Sequence, residues 1–410
     1  MNICFAIAHY KFFHSHRLGL IGELAKTHSV SLVTDTSRAL PQEIKYLISL
    51  GIEVIHLPSR SKKIGYISYA LSLRRIIQNI NPVMMFYVTL EMSIFGAMLH
   101  HLLKVKKSFF LITGLGPYFH KKKLRYSGLR LLQRLIFAAA LLKKGCVFIF
   151  QNADDLKVFT DLKIANETNV QIIRGNGINT NAFIYKERAY VNKIIFLYAS
   201  RLVLSKGIVE FINASRLLKR EYPEAEFVIA GSYDAEDPDS ISSEAFNSLV
   251  TDKDILYLGE LPHSEMKDCF HKASVFVMPS YGEGLPKVAL EAAASGLPLV
   301  TTDTAGCKDC VENEVNGFLV KAQSSEALHD GMELCIKNLK SMKSYGQKSA
   351  EMVEKISKGK ISKFLNDNSL LNQLWIMDPK KKVSDILKEN SSERQLQILD
   401  FIRYKVGEGI

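Results

Sequence analysis

Residues 279–320 read PSYGEGLPKVALEAAASGLPLVTTDTAGCKDCVENEVNGFLV, and the fold class follows largely from them. Just before them, Ser274-Val-Phe-Val-Met278 has the length and apolar composition of a buried parallel strand. Pro286 suits the first turn of a helix, and Lys287 to Ser295 is a good helix former that stops at Gly296. Glu283 then falls in the strand-to-helix loop, with Gly284-Leu285-Pro286 after it, while Glu291 projects from the helix. Both can face the crevice beyond the strand ends, where open α/β sheets bind ligands. Glutamates at this spacing also suit an ordinary amphipathic helix, so spacing alone decides nothing. Two carboxylates beside a helix N-terminus could hold a polyhydroxylated, anionic ligand: carboxylates accept from hydroxyls, and free N–H groups meet phosphate oxygens.

Outward from that segment, strand and helix alternate along most of the chain. Asn2–Ile7, Val30–Thr34, Ile52–Leu57, Val83–Val88, Ser108–Thr113 and Cys146–Phe150 read as strands with helical stretches between them. No G-x-G-x-x-G follows the first strand, so a nicotinamide site is not supported. A polar stretch, residues 179–192, reads as a linker between a first domain (1–178) and a second (193–345). The second domain repeats the alternation with strands at Lys193–Ser200, Glu226–Ala230 and Ile255–Gly259. Residues 346–410 read as charged helices, ending in a tail led by Lys380–Lys382 with Leu387, Leu396, Leu399 and Ile402 on one side.

The 410 residues allow two domains that each bury a core, and 47% hydrophobic with 23% charged residues is a globular composition. Six scattered cysteines and no signal peptide ahead of the first apolar run suggest a reducing cytoplasm. Cys307 and Cys310 form a lone C-x2-C with no second pair, so no metal is expected. Pro82–Leu103 is interrupted by Glu91, His100 and His101, so it reads as strand, loop and helix and does not span a bilayer.

Charge is unevenly placed. Residues 1–150 hold 21 Lys or Arg against five acids, a balance of +16, so the net +11 leaves −5 for the rest. The basic half should meet something anionic: nucleic acid, a membrane or a diphosphate. Nucleic acid is disfavoured, because no recognised module or aromatic–basic interleaving accompanies the charge. Phe119–Lys144 is free of acids and carries Lys121, Lys122, Lys123, Arg125, Arg130 and Arg134. Leu129, Leu132, Leu135 and Ile136 recur there at helical spacing, the pattern of an interfacial helix on anionic lipid or of a domain helix with a solvated basic face.

Arg201-Leu-Val-Leu-Ser-Lys206-Gly207 lies where the first strand of the second domain gives way to a helix. Arg offers a planar fork, Lys a point charge, and Gly207 lets the backbone approach, a set suited to a diphosphate or to a solvated turn. Together with Glu283 and Glu291, this segment resembles the retaining glycosyltransferases of family 4, of the GT-B fold, in the branch that builds bacterial capsule and O-antigen. The resemblance rests on Arg201-x4-Lys206-Gly207, on Glu283-x7-Glu291 and on Gly306-Cys307 through Asn316-Gly-Phe318. It covers most of residues 1 to about 340.

That resemblance implies two Rossmann-like domains facing a central cleft, with the donor in the C-terminal one. It implies a nucleotide sugar, UDP-linked by analogy, held by Arg201, Lys206, Gly207, Gly231, Glu283, Gly284, Leu285, Pro286 and Glu291. In it Glu291 binds the ribose, Glu283 contacts the transferred sugar, and Arg201 and Lys206 stabilise the leaving diphosphate without a metal. His16 and Arg17 match a family loop, Thr113-Gly114-Leu-Gly116 matches another, and Asn152 follows the next strand, so these are acceptor-side candidates. Where relatives often have a His after Val88, this chain has Thr89-Leu-Glu91; Glu91 is a further acceptor-side candidate as a substitute polar group, or that subsite has changed, which leaves acceptor identity open. The implied activity moves a hexose or N-acetylhexosamine to an undecaprenyl-diphosphate-linked saccharide at the inner face of the cell membrane. Nucleotide-sugar 2-epimerases share the architecture but lack the combined motifs, and a non-catalytic partner subunit would not need all four charged residues.

Overall fold

The computed structural model describes residues 1–58, 65–115, 125–166, 168–175, 177–188, 193–233, 237, 239–250, 254–368, 374–375 and 378–390. Two parallel sheets organise them, and each has its topological switch at the strand that opens its half. In the first, β1 (Asn2–His9) lies between β2 (Ser29–Asp35) and β4 (Met84–Val88). With β3 (Ile52–His56), β5 (Lys107–Ile112), β6 (Cys146–Phe150) and β7 (Val170–Ile172), the order is β3-β2-β1-β4-β5-β6-β7. The second joins β8 (Ile195–Ala199), β9 (Glu226–Ala230), β10 (Ile255–Tyr257), β11 (Val275–Met278), β12 (Leu299–Thr302) and β13 (Gly317–Val320) as β10-β9-β8-β11-β12-β13.

Strand composition explains why both faces are covered. Ile3 through Ile7 are buried without a break; Cys4 and Ala6 join one apolar cluster, Ile3, Phe5 and Ile7 the other. Alternate residues of a strand face opposite ways, so an unbroken apolar run needs helices on both sides. Helices α1 (Tyr10–His16), α2 (Leu18–Ala25) and α3 (Pro41–Ser49) cover one face through Phe13, Ile21 and Leu47. On the other lie α4 (Tyr66–Ile80), α5 (Leu90–Leu99), α6 (Arg125–Leu141) and α7 (Ala153–Asp161), through Leu73, Phe95, Phe137 and Phe159.

Around the second sheet, the core gathers α8 (Ile208–Glu221), α9 (Ser243–Leu249) and α12 (Ser325–Lys337). Between the last two come α10 (His263–Lys272) and α11 (Lys287–Ala294). The described part of the stretch expected to be a linker, residues 179–188, packs against this half. Phe183 is buried, and Arg188 donates to the carbonyls of Phe270, Ala273 and Ser295.

The two sheets share one compact unit, Met1–Ala350, and Glu351–Ile410 forms a second. α13 (Leu339–Asn368) enters that second unit. Its described remainder is a two-stranded antiparallel sheet, β14 (Leu374–Trp375) and β15 (Asp378–Lys382), and α14 (Val383–Asn390). Lys380–Lys382 therefore pair as a strand before the helix starts; Leu396, Leu399 and Ile402 lie outside the described residues. Among the described residues no helix is long and apolar enough to cross a membrane.

Candidate functional site at the sheet switch points

In each sheet the C-terminal ends of the switch strands bring the site loops together, where crevices form in such folds. From the second sheet come Arg201–Gly207 after β8 and Pro279–Pro286 after β11; from the first come α1 after β1 and Thr89 after β4.

Lys206 and Glu283 form an ion pair through Nζ and Oε1, with both side chains more than four-fifths buried. Ser280 Oγ donates to the same Glu283 oxygen at 3.0 Å, and Thr302 Oγ1 donates to the Ser280 carbonyl. The Glu283 N–H donates to Ala305 O at 2.9 Å, so backbone and carboxylate are both held. Gly207 has φ +72°, and a Cβ there would collide with the Pro279 carbonyl. Only glycine lets the two loops lie this close. Arg201 is the more exposed cation; its Nη1 donates to Asp237 Oδ2 at 2.7 Å. Gly231 follows β9, and its carbonyl accepts from Tyr257.

Pro286 is the N-cap of α11 and not its first turn, but the helix runs and stops at Gly296 as the sequence suggests. Glu291 is buried on it, 4% exposed. His263 Nε2 lies 2.9 Å from its Oε1, and Lys287 Nζ, one turn before, lies 3.3 Å away. His263 also stands edge-on to the Phe183 ring, with centroids 5.2 Å apart. Sequence reasoning missed both partners. Lys287 had a signal, since a Lys four residues before a Glu shares its helix face. His263 had none, because it comes from another helix.

The N-terminal half closes over this loop. Asn152, the N-cap of α7, donates through Nδ2 to Glu283 O and Gly284 O. A Cβ on Gly284 would strike the Thr113 carbonyl and the Gln151 side chain. One on Gly114 would approach the Gly284 nitrogen, so the Thr113-Gly114 loop lies against the Glu283-Gly284 loop. Lys287 Nζ donates to Ser15 O at 2.8 Å, and Lys308 pairs with Asp154 at 3.0 Å.

Phe12–Arg17 is not a loop: Tyr10 and Phe13, one turn apart, are both buried, and that apolar face makes the segment helical. His16 stacks on Phe12, and burial, with Lys287 and Arg17 nearby, pushes its pKa down to about 4. Arg17 is buried at the α1–α2 junction. Thr89 has φ +88°, which a β-branched residue rarely adopts, and begins the helix that carries Glu91 in its first turn.

Gly116 and Lys121–Lys123 lie outside the described residues; Arg125, Arg130 and Arg134 fall on α6, with Arg134 exposed. Cys307 and Cys310 are buried thiols beside the carbonyls of Ser280 and Gly306. Burial raises both pKa values, that of Cys307 to about 11, so they stay protonated and pack as small apolar groups. Among the described residues no three His, Cys, Asp or Glu side chains gather as a metal site.

Residues 179–352 match the family described as glycosyl transferases group 1, and residues 2–152 match glycosyl transferase 4-like proteins. An N,N'-diacetylbacillosaminyl-diphospho-undecaprenol alpha-1,3-N-acetylgalactosaminyltransferase of Campylobacter jejuni is 28% identical over 280 residues, 65% of this chain and 71% of that protein. The capsular polysaccharide biosynthesis glycosyltransferase CapM of Staphylococcus aureus is 26% identical over 157 residues, 38% of this chain and 40% of its own length.

Among solved structures, Anabaena HepE in complex with UDP and glucose superposes with a TM-score of 0.69 at 16% identity, covering 89% of this chain and 99% of that one. Sucrose-phosphate synthase from Thermosynechococcus elongatus gives 0.69 at 16% identity over 90% and 100%. These likenesses establish the GT-B fold. With both halves matched in order, the chain belongs to the group 1 glycosyltransferases and carries a glycosyltransferase 4-like N-terminal half.

Proposed function

We propose that this glycosyltransferase moves a hexose or N-acetylhexosamine, with retention, from a UDP-sugar to a lipid-diphosphate-linked saccharide during surface polysaccharide synthesis. One observation carries the reading: Lys206 and Glu283 meet in a single ion pair at the second sheet's switch point, under the Asn152 contact from the other half. The UDP and glucose in the HepE complex and the diphospho-undecaprenol saccharide in the name of the Campylobacter jejuni relative support the substrate classes.

In this reading an incoming diphosphate draws Lys206 from Glu283 and Arg201 from Asp237. Arg201, Lys206 and the N–H groups at Gly284-Leu285 then oppose the charge that develops as the bond from the anomeric carbon to the diphosphate oxygen breaks. The acceptor hydroxyl oxygen bonds to the same face of that carbon, and its proton passes to the departing phosphate oxygen. Glu283, released from Lys206, hydrogen-bonds the transferred sugar. Glu291, oriented by His263 and Lys287, accepts from the ribose hydroxyls. Residues 1–178 serve the acceptor and 193–345 the donor.

The same proposal puts the N-terminal half on anionic lipid through Lys121, Lys122, Lys123, Arg125, Arg130 and Arg134. α6 buries Gln133, Phe137 and Ala140 against the domain and leaves Leu131, Leu132 and Leu135 more than half exposed. An apolar row beside basic residues suits a headgroup boundary.

The test is a transfer assay with a panel of nucleotide sugars and a prenyl-diphosphate saccharide. Product formed from a UDP-sugar with retained anomeric configuration supports the reading; an inverted product, or epimerised donor without transfer, overturns it.

A further inference from the structure

Arg17 is 8% exposed, and its Nε is buried with no hydrogen-bond partner. Among the described residues no carboxylate pairs with its guanidinium. It stands where α2 begins, a helix with no side-chain cap and no acid in its first turn. Burial pushes the guanidinium down to about 10, still charged at any physiological pH. His16 beside it is neutral there and brings no compensating charge.

An uncompensated buried cation costs stability. Such a group persists where a ligand brings the opposite charge. The Lys287 bond to Ser15 O holds this junction at the cleft. The donor diphosphate already has Arg201 and Lys206 in the other half.

We infer that Arg17, with the open N-terminus of α2, is a receptor for a phosphate group, and that this phosphate belongs to the diphosphate of the acceptor. The planar guanidinium fork matches two phosphate oxygens, and helix N–H groups add donors without charge. The identity of the acceptor rests on the reading under Proposed function; the anion site itself does not.

Arg17→Met and Arg17→Lys separate the possibilities, with a short prenyl-diphosphate N-acetylhexosamine and the same sugar on an octyl aglycone as acceptors. In Arg17→Met, the kcat/KM preference for the diphosphate acceptor should fall about tenfold or more, through KM, with partial recovery in Arg17→Lys. UDP affinity by calorimetry should stay within about twofold. The Tm of Arg17→Met should equal or exceed that of the wild type, because a packing role would lower it. Loss of UDP affinity would assign the guanidinium to the donor and overturn the inference; so would an unchanged acceptor preference, or a lowered Tm with equal loss on both acceptors. If the wild type uses neither acceptor, the acceptor reading fails. The anion site is then judged by titrating inorganic pyrophosphate into UDP-saturated protein. Wild type should bind it about tenfold more tightly than Arg17→Met, and equal affinities overturn the site.

Discussion

Asn152 Nδ2 donates to the carbonyl of Gly284 at 2.9 Å and to that of Glu283 at 3.1 Å, tying the end of β6 to the loop that carries Glu283. The same side chain accepts from the Asp155 N–H as the N-cap of α7. Asn152→Ala should lose both functions, at about 1–2 kcal/mol for the cap alone. Asn152→Asp keeps a cap acceptor but sets a carboxylate against two carbonyls and against the Asp155 carboxyl, to which Asn152 Nδ2 also donates at 3.0 Å. Urea unfolding should rank the variants wild type, then Asp and Ala, while turnover should suffer more in Asp than in Ala. A turnover in Asn152→Asp equal to that of the wild type would remove the contact from catalysis.

In the proposed reading the donor competes with the Lys206–Glu283 ion pair for both residues. Lys206→Ala should weaken UDP binding and slow turnover about tenfold or more, about 1.4 kcal/mol per decade. Glu283→Gln, freed of the ion pair but still able to bond a sugar hydroxyl, should lower turnover more than UDP affinity. Calorimetry with and without chelator, beside steady-state kinetics, checks both. Equal losses of kcat and affinity in Glu283→Gln would reassign the residue to the nucleotide.

Much of this site was legible because its chemistry is local. Arg201-x4-Lys206-Gly207 and the Glu283 loop follow strands that read as buried apolar runs, so strand ends and charges could be placed without coordinates. What escaped was carried by distant partners. Asp237 on Arg201, His263 on Glu291 and the Lys287 contact with Ser15 join separate elements, and no periodicity announces them. β7 was missed because it is three residues long, two of them exposed, and leaves no apolar run. The α1 helix was misread because Phe12-Phe-His-Ser-His16 lacks a cap signal, and burial of Tyr10 and Phe13 decides its conformation.

Asp155 offers a pH signature. Its carboxyl is buried, and desolvation raises its pKa from 3.8 to about 6 against the opposing bond from Asn152. The folded protein therefore keeps this proton where the unfolded chain has lost it. The resulting stabilisation is full below about pH 4 and disappears as pH rises through about 6, roughly 2–3 kcal/mol in all. Asp155→Asn cannot titrate, so its stability relative to the wild type should rise across that interval. Urea midpoints at several pH values measure it, and a flat difference between pH 4 and 7 would show that the carboxyl titrates normally.

Thr89 stores strain at the mouth of the first sheet. Its φ of +88° costs about 1–3 kcal/mol for a residue with a Cβ, and its cap bond to Met92 N is long at 3.5 Å. Thr89→Gly should therefore stabilise the protein by about 1 kcal/mol, a rise in Tm of a few degrees at most for a chain this long. If the strained turn presents Glu91 to the acceptor, KM for acceptor should rise while UDP affinity holds. A destabilised glycine variant would show that the hydroxyl cap outweighs the strain.

The membrane reading makes the last prediction, and the exposed row on α6 sharpens it. Leu131 and Leu135 are 55% and 58% exposed, so replacing both with Glu removes little packing and should leave Tm nearly unchanged. Burial of each leucine in a headgroup boundary is worth about 1–2 kcal/mol, and each nearby basic residue adds about 1 kcal/mol at low salt. The double variant should therefore stay in the supernatant when wild type sediments with anionic vesicles. Replacing Lys121, Lys122 and Lys123 with Ser should weaken sedimentation less, and more so as salt rises past the point where the Debye length is about 8 Å. Transfer to a short water-soluble acceptor should be close to normal in both variants, because neither removes a residue assigned to the donor in the proposed reading. A wild type that ignores vesicle charge, or a double variant that still sediments fully, would leave α6 an ordinary domain helix with an unusually apolar exposed face.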